Sequence, residues 1–485
     1  MRAAYFRGLT ELRNLVGGRR IRLTSRNPYG AGPLSCGEGE PDDSRPRMTG
    51  APSPQERGSG SEANRSRRYP PLPGQLKLPL LFLLLLTLPA HAQRLDSLQA
   101  AYPFLRTSAN RIENASIGLQ RFYQRLAGLP LHPAALPGGR VSVVHIGDSH
   151  LQADEFSGRT RRELQRTYGN AGLGLAFPFG VAHTNGSPAF HTVAVAGTWQ
   201  ARRALAAPDS TLSIGVSGFV LTTADSGAAF TLRVPALRRP NYSFNKLTVL
   251  RQAGPAAFDW VVSSAQGRRL GLVPGVGPGT AVVLRLDSLR DFVELRTTRT
   301  RSAQTSGVLY GLLLDNGQPG IIYNTIGVNG TAVRHFACAP LFFEQLPLLE
   351  PDLFIISLGT NDAYSAGFDP DLFARQLDSL INGLRRRCPR AEVLLAAPPD
   401  SYRARRYRNP DLERLRTVLR AYAQAHDLAY WDLAAVQGGY GSMRQWRAAG
   451  LAQADLVHFT HAGYDLQGLL LYLALQDGFA AFRAR

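Results

Sequence analysis

Four short stretches of this chain each set chemically able side chains directly after a run of apolar residues or among glycines. In VVHIGDSHLQAD, Asp148 and Ser149 follow the run Val141–Ile146. NTIGVNGTAV holds Gly327 and Gly330, SLGTNDAY brings in Asn361, and ADLVHFTHAGY sets Asp455 three residues ahead of His458. A serine hydroxyl is a weak nucleophile until a base takes its proton, and the imidazole base must be held in one tautomer by a carboxylate. Backbone N–H groups or an amide must then face the developing oxyanion. The four stretches hold all of these parts, and the expected chemistry is acyl transfer through a covalent serine. Ser149 attacks, His458 is general base and then general acid, and Asp455 orients His458. The oxyanion hole consists of the Ser149 N–H, the Gly330 N–H and the Asn361 side chain, with Gly327 as the alternative to Gly330.

Groups scattered over more than three hundred residues converge only if the fold brings strand ends together, as an open parallel sheet does at its carboxyl edge. The runs Val141–Ile146, Gly320–Tyr323, Leu353–Leu358, Val393–Ala397 and Leu428–Trp431 suit strands buried on both faces. Helices with clear start signals lie between them. Asp369-Pro370 precedes Leu372, Phe373, Leu377, Leu380, Ile381 and Leu384 on one face, and Asn409-Pro410 precedes Leu412, Leu415, Val418, Leu419 and Tyr422. Asp or Asn as N-cap with Pro in the first turn is the chemistry a helix start needs. The alternation predicts a three-layer α/β domain. Residues 94–126 read as helical, broken at Pro103.

From about 175 to 318 the period shortens to 2, with Phe219/Leu221, Phe230/Leu232/Val234, Leu247/Val249, Val282/Leu284/Leu286 and Val293/Leu295 separated by turn residues. This predicts an antiparallel β-sandwich, inserted just after the first helix of the α/β domain and returning to it at Gly320. The expected organisation is a disordered or untranslated leader at 1–70, an export signal at 71–92, the first part of the α/β domain at 93–174, the inserted sandwich at 175–318 and the second part of the α/β domain at 319–485.

GDS, then glycine, then GTND, then DxxH resembles, in order, the four blocks of the SGNH (GDSL) hydrolases. The resemblance covers the α/β part of the chain and implies a flavodoxin-like parallel sheet with the oxyanion trio just named. One departure is His150, where the family often has leucine. The GDSH variant, and the segment GGYGSMRQW…DLVHFT, are similar to bacterial exported polysaccharide O-acetylesterases and O-acetyltransferases, including peptidoglycan O-acetylesterases. Those esterases tend to carry a β-sandwich insertion resembling a carbohydrate-binding module. The resemblance implies removal of O-acetyl groups from a cell-envelope or environmental polysaccharide through an acetyl-Ser149 intermediate. A polysaccharide O-acetyltransferase using the same triad and a non-catalytic glycan-binding protein are the alternatives, because the shared intermediate precedes the choice of acceptor. Lipid esters are a further option, disfavoured by the want of a long apolar lid-like helix. His150 and Tyr364 are candidate substrate contacts. No cofactor and no metal are expected.

The remaining residues narrow the field. A chain of 485 residues with 44% hydrophobic content can bury a large core and suggests two to three domains. Of the net charge of +19, residues 1–92 hold 14 Arg or Lys against 7 Asp or Glu, leaving +12 for 93–485. The basic residues are interleaved with apolar ones and form no arm, so nucleic-acid binding is not expected. A basic surface still favours an anionic cell-wall polymer or membrane. The spacing of His145, His150 and His461 matches no metal-binding motif. Asp148 is expected to hold its turn through backbone hydrogen bonds. Tyr364, Trp431 and Trp446 could stack on sugars, although core packing is the commoner fate of aromatics. Cys36, Cys338 and Cys388 fit no zinc pattern, and Cys338 and Cys388 read as two buried thiols, with pairing after export left open. Arg65, Arg67, Arg68 and Lys77, the apolar run Leu78–Leu88 and Ala90-His91-Ala92 read as a cleaved export signal rather than a bilayer span. They point to a periplasmic, cell-surface or secreted protein. Met1 or Met48 is the start, and the oligomeric state is open.

Overall fold

The computed structural model of the protein describes residues 87–129, 139–205, 213–235, 240–364 and 367–485, with side chains from 93 onward. The expected leader, Cys36 and most of the expected export signal lie outside the described residues. The triplet Ala90-His91-Ala92 falls in the helix Thr87–Ala101, whose Leu95 and Leu98 pack against the α/β core.

Five parallel strands form the central sheet. Their spatial order is Gly320–Gly327, Arg140–Gly147, Leu353–Ser357, Glu392–Ala396 and Ala429–Trp431. Counted along the chain this is 2-1-3-4-5, the flavodoxin-like order, whose direction reverses around the first strand. Each strand is buried on both faces, so successive residues enter opposite cores. Val141 and Val143 join one apolar cluster while Val144 and Ile146 join the other. Phe354 and Ile356 likewise alternate with Leu353 and Ile355. The helices Phe156–Tyr168 and His461–Arg483 pack on one face, and Pro370–Arg387 and Pro410–Ala425 on the other.

The two capped helices start where their sequences indicate. Asp369 accepts from the N–H groups of Asp371 and Leu372, and Asn409 from that of Asp411. Leu372, expected on the buried face, is instead exposed, while Phe373 beside it is buried, so the buried face of this helix begins at Phe373. The 94–126 segment also departs from expectation. After Ala101 it breaks into a short 3-10 turn, and Ile112–Glu113 pairs antiparallel with Tyr430 and Trp431, closing the edge of the sheet. A sheet edge left open offers unpaired N–H and C=O groups, and this two-residue strand covers them.

The insertion consists of two antiparallel sheets. One runs Arg269–Val273, Asp259–Ser263, Phe292–Thr298, Ala229–Arg233 and His191–Ala196. The other runs Ala281–Arg290, Phe244–Arg251, Gly307–Asp315, Phe219–Thr223 and Gln200–Arg203, with Gly174–Ala176 pairing beside Gly307–Asp315. Its apolar core is continuous with one face of the α/β sheet, since Phe219 and Phe230 belong to the same cluster as Val144, Ile146 and Val328.

Cys388 is buried as expected, whereas Cys338 is exposed at the end of the short helix Val333–Ala337, and both are free thiols. Among the described residues no helix is long and apolar enough to cross a membrane.

Candidate active site

The strand Arg140–Gly147 ends against the short helix Ser149–Gln152, with Asp148 as N-cap. Asp148 Oδ1 accepts the His150 N–H at 3.0 Å. That bond secures the turn as expected, and Ser149 is relieved of the capping role. As first residue of the helix, Ser149 has a backbone N–H with no intrahelical acceptor. Its hydroxyl lies 2.9 Å from His458 Nε2. Gly147 is needed just before the turn, because a Cβ there would sit 2.4 Å from Leu151 Cδ1. Asp148 is fully buried, and burial pushes its carboxyl up to about 7 against the opposing pull of the His150 N–H and the nearby His458.

The DLVH stretch is a turn built around one carboxylate. Asp455 Oδ1 accepts the N–H groups of Val457 and His458, both at 2.9 Å, while Oδ2 lies 2.7 Å from His458 Nδ1. Leu456 between them takes a left-handed backbone, φ 57°. One oxygen thus shapes the turn and the other orients the ring, which explains the three-residue spacing. Burial opposes ionisation of Asp455, but the imidazole and the two backbone donors outweigh it and hold the carboxyl well below the usual range. The Asp455 carboxylate, His458 ring and Ser149 hydroxyl form one hydrogen-bonded chain.

Two further loops close on this chain from the neighbouring strands. After Gly320–Gly327, the Val328 N–H bonds the Gly147 carbonyl, and Thr331 Oγ1 bonds the Val328 carbonyl at 2.7 Å. After Leu353–Ser357, Asn361 Nδ2 donates to the Thr331 carbonyl at 2.9 Å and reaches Asp148 Oδ2 at 3.3 Å. Three of the four sequence blocks therefore follow three adjacent strands at the point where strand order reverses. The two glycines separate cleanly. A Cβ on Gly327 would lie 2.3 Å from Gln152 N, so this glycine lets the strand approach the helix Ser149–Gln152. Gly330 has φ 81°, and the nearest atom to its hypothetical Cβ is Leu205 Cδ2 at 3.0 Å. Its N–H finds no acceptor among the described residues.

His150 is buried, 5% exposed, with its ring centroid 5.4 Å from that of His458 and Nδ1 3.0 Å from the Tyr464 hydroxyl. Burial and the neighbouring His458 push its ring down to about 3, so it stays neutral. It backs the His458 ring rather than standing on the open surface. Tyr364 is exposed just beyond Asn361, and Trp431 and Trp446 are core residues. The other two histidines go elsewhere: His145 between Tyr323 and Ser357 on the central strand, and His461 beside Glu155. Among the described residues no group of three or more His, Cys, Asp or Glu is arranged to hold a metal.

Two residues that follow Ser149 in the first block escaped the sequence reading. Gln152, 1% exposed, donates to Thr184 Oγ1, the Asn185 carbonyl and Asn185 Oδ1, and accepts the Asn329 N–H at 2.6 Å. Asp154, fully buried, accepts from the two terminal guanidinium nitrogens of Arg161, and from Ser157, Ser187 and Thr325. Arg161 Nε in turn donates to the Tyr242 hydroxyl at 3.0 Å. Through Thr184, Asn185, Ser187 and Tyr242 the insertion is pinned to the helices around Ser149. The available signal was polar residues recurring through a block that otherwise reads as buried.

Residues 296–466 match the model of the GDSL-like lipase/acylhydrolase family. That span contains Gly330, Asn361, Asp455 and His458 but not Ser149, which the insertion separates from it. Among solved structures, one titled "Peptidoglycan O-acetylesterase in action" is similar over 77% of this chain and 99% of its own, at 21% identity and TM-score 0.63. A family two carbohydrate esterase from Cellvibrio japonicus is matched over 61% of this chain and 99% of its own, at 12% identity and TM-score 0.28. A lipase/acylhydrolase from Enterococcus faecalis is matched over 33% of this chain and 77% of its own, at 23% identity and TM-score 0.26. Comparison with curated protein sequences found no match. The family match over residues 296–466 and the shared fold agree, and that part of the chain is similar to a GDSL-like lipase/acylhydrolase domain.

Proposed function

We propose that the protein is a serine esterase that removes O-acetyl groups from a cell-envelope or environmental polysaccharide. The observation that carries the reading is the unbroken chain from Ser149 Oγ through His458 to Asp455, with spacings of 2.9 and 2.7 Å. In the proposed reaction Ser149 Oγ attacks the acetyl carbonyl carbon while His458 Nε2 takes its proton. The negative charge that develops on the carbonyl oxygen is met by the N–H groups of Ser149 and Gly330 and by the Asn361 amide. Collapse breaks the ester bond, and His458 returns the proton to the departing sugar oxygen. Water, deprotonated by His458, then attacks the acetyl carbon of acetyl-Ser149; the bond to Ser149 Oγ breaks, His458 returns the proton to that oxygen, and acetate is released.

The choice of an acetylated glycan over a lipid ester rests on the sandwich insertion, on the GDSH form of the first block, and on the fold shared with a structure titled as a peptidoglycan O-acetylesterase. Export to the periplasm, cell surface or medium rests on the order of charge, apolar run and small-residue triplet at 65–92. N-terminal sequencing of the protein recovered from its host is expected to begin at Gln93.

Acetate release from a small aryl acetate and from O-acetylated glycans, measured with the purified protein and with Ser149→Ala, tests the activity. Release by the unaltered protein alone is expected. Equal release by both proteins would sink the covalent-serine reading. Appearance of acetyl groups on an added sugar acceptor, with little free acetate, would replace hydrolysis by transfer.

A further inference from the structure

We propose that His150 and Tyr464 are positioning residues that hold His458 against Ser149, by joining the residue after the serine to the residue after the histidine. The proposal rests on the esterase reading and adds two groups to its machinery. Ser149 and His458 meet through one hydrogen bond of 2.9 Å, although they stand 309 positions apart in the chain. Each is followed by a buried aromatic side chain, His150 after Ser149 and Phe459 after His458. Behind the reacting pair, the Tyr464 hydroxyl lies 3.0 Å from His150 Nδ1 and takes a hydrogen bond from the Phe459 N–H. Tyr464 is itself buried, in the first turn of the helix His461–Arg483. The two segments are therefore joined twice, once through the reacting atoms and once behind them.

The direction of this second tie follows from its donors. The Tyr464 oxygen accepts from Phe459, so its own hydrogen goes to His150 Nδ1. His150 then carries its proton on Nε2, the nitrogen with no hydrogen-bond partner among the described residues. Burial keeps both groups in the forms the tie needs, with the phenol held well above its usual range and the imidazole pushed down to about 3. A leucine would fill the same space without a buried, unmatched N–H, which costs stability. What the imidazole adds is the acceptor at Nδ1.

His458 needs support of this kind. Its side chain is 32% exposed, and its two side-chain partners, Ser149 and Asp455, each hold one ring nitrogen. Bonds at the two nitrogens leave the ring free to tilt about the line between them. The His150 ring, with its centroid 5.4 Å away and the planes at 43°, meets that tilt on one side. His150 is fixed in turn by Tyr464 at Nδ1 and by the Phe459 and Tyr464 rings, whose centroids both lie 5.9 Å from its own.

The test compares the unaltered protein with Tyr464→Phe, which removes one oxygen and keeps the ring, with His150→Leu, and with the double variant. On a neutral aryl acetate each single variant is expected to lose about ten-fold or more in kcat with KM near its original value, because the base loses aim and not contact with substrate. The double variant is expected to be no worse than the more impaired single one, since both changes break the same tie. Losses that multiply in the double variant, or folded single variants with unchanged kcat, would overturn the proposal. Where His150→Leu does not fold, the kcat of Tyr464→Phe decides alone. No aryl acetate turnover by the unaltered protein would instead be the failure of the esterase reading. The tie is then decided by nitrogen NMR of the full chain carrying isotope-labelled histidine. His150 is expected to be protonated at Nε2, with its Nδ1 signal shifting in Tyr464→Phe and the His458 signals shifting or broadening with it. A proton on His150 Nδ1, or His458 signals left as they were in Tyr464→Phe, would overturn the proposal.

Discussion

The side-chain nitrogen of Asn361 lies 2.9 Å from the Thr331 carbonyl and 3.3 Å from Asp148 Oδ2. A single amide thus ties the loop after the third strand to the glycine loop and to the residue before Ser149. Both of its hydrogens have an acceptor, and the longer contact, to Asp148, is the one a developing oxyanion can compete for. Asn361→Ala is expected to lower kcat by about 10²–10³, the usual loss for one oxyanion donor. KM for an aryl acetate should change little, because the bond forms in the transition state. Equal losses in kcat and in thermal stability would make Asn361 a structural tie only.

The proton inventory sets the acid side of the pH–rate profile. Asp455 is held well below the usual carboxylate range, so it stays ionised at pH values where an ordinary carboxylate would take up a proton. His145 and His150 are both pushed down to about 3 by burial and remain neutral above that. His458 is left as the histidine of the site whose protonation stops catalysis, because a protonated ring cannot take the Ser149 proton. On acidification log(kcat/KM) is expected to fall with a slope of one, and His458→Ala should cost several orders of magnitude in turnover. A profile flat to pH 4 would contradict the role of His458.

The two glycines of the second block should fail in different ways. Gly327→Ala would drive a Cβ to 2.3 Å from Gln152 N, and neither backbone can yield. Overpacking of this kind costs about 1–3 kcal/mol or more, so a lowered Tm or poor recovery of folded protein is expected. Gly330→Ala meets only the end of a leucine side chain, and its cost is about 1 kcal/mol for a left-handed backbone. Its main effect should be on kcat, through displacement of the N–H. Equal Tm losses in the two variants would show that the sites are not distinct in this way.

Asp148 carries a pH-dependent penalty. Its carboxyl rises from 3.8 to about 7 on folding. Between those values the folded protein keeps a proton that the unfolded chain has lost, so this group lowers stability as pH rises through the window, fully so above pH 7. Asp148→Asn keeps an acceptor for the His150 N–H and removes the titration. Relative to the unaltered protein, the variant should gain on the order of 1–3 kcal/mol on going from pH 4.5 to pH 8. Urea unfolding at the two pH values measures this directly, and an identical difference at both would refute the assignment.

Much of the site was legible because its residue types and its strand-end positions obey separate rules that agree. Apolar runs gave the five sheet strands, and Asp369-Pro370 and Asn409-Pro410 gave their helices, since both signals are local. Gly307–Asp315 was missed because it is a continuous apolar strand without the two-residue alternation that marks a half-buried one. His191–Ala196 was missed because most of its side chains are exposed. Ile112–Glu113 could not be seen as a strand because its pairing to Tyr430 and Trp431 spans more than three hundred residues. Distance in sequence also hid the ties between Gln152, Asn185 and Asn329, which depend on where the insertion docks.

Those ties lead to the last expectation. Gln152 accepts the N–H of Asn329, the residue before Gly330, and donates to Asn185, whose Oδ1 also accepts from Asn329 Nδ2 at 2.7 Å. The glycine loop is therefore held from below by the nucleophile helix and from the side by the insertion. Gln152→Leu removes the shared partner and leaves a buried N–H unmatched, a cost of about 1–3 kcal/mol. With the protein still folded at low temperature, kcat for an aryl acetate should drop at least ten-fold while KM stays near its original value, because the loop loses aim rather than contact area. Gln152→Glu keeps an acceptor for Asn329 and loses the donors to Thr184 and Asn185, so it should fall between the two. If Gln152→Glu is as impaired as Gln152→Leu, the bond to Asn329 is not what aims the loop, and the tie to the insertion is.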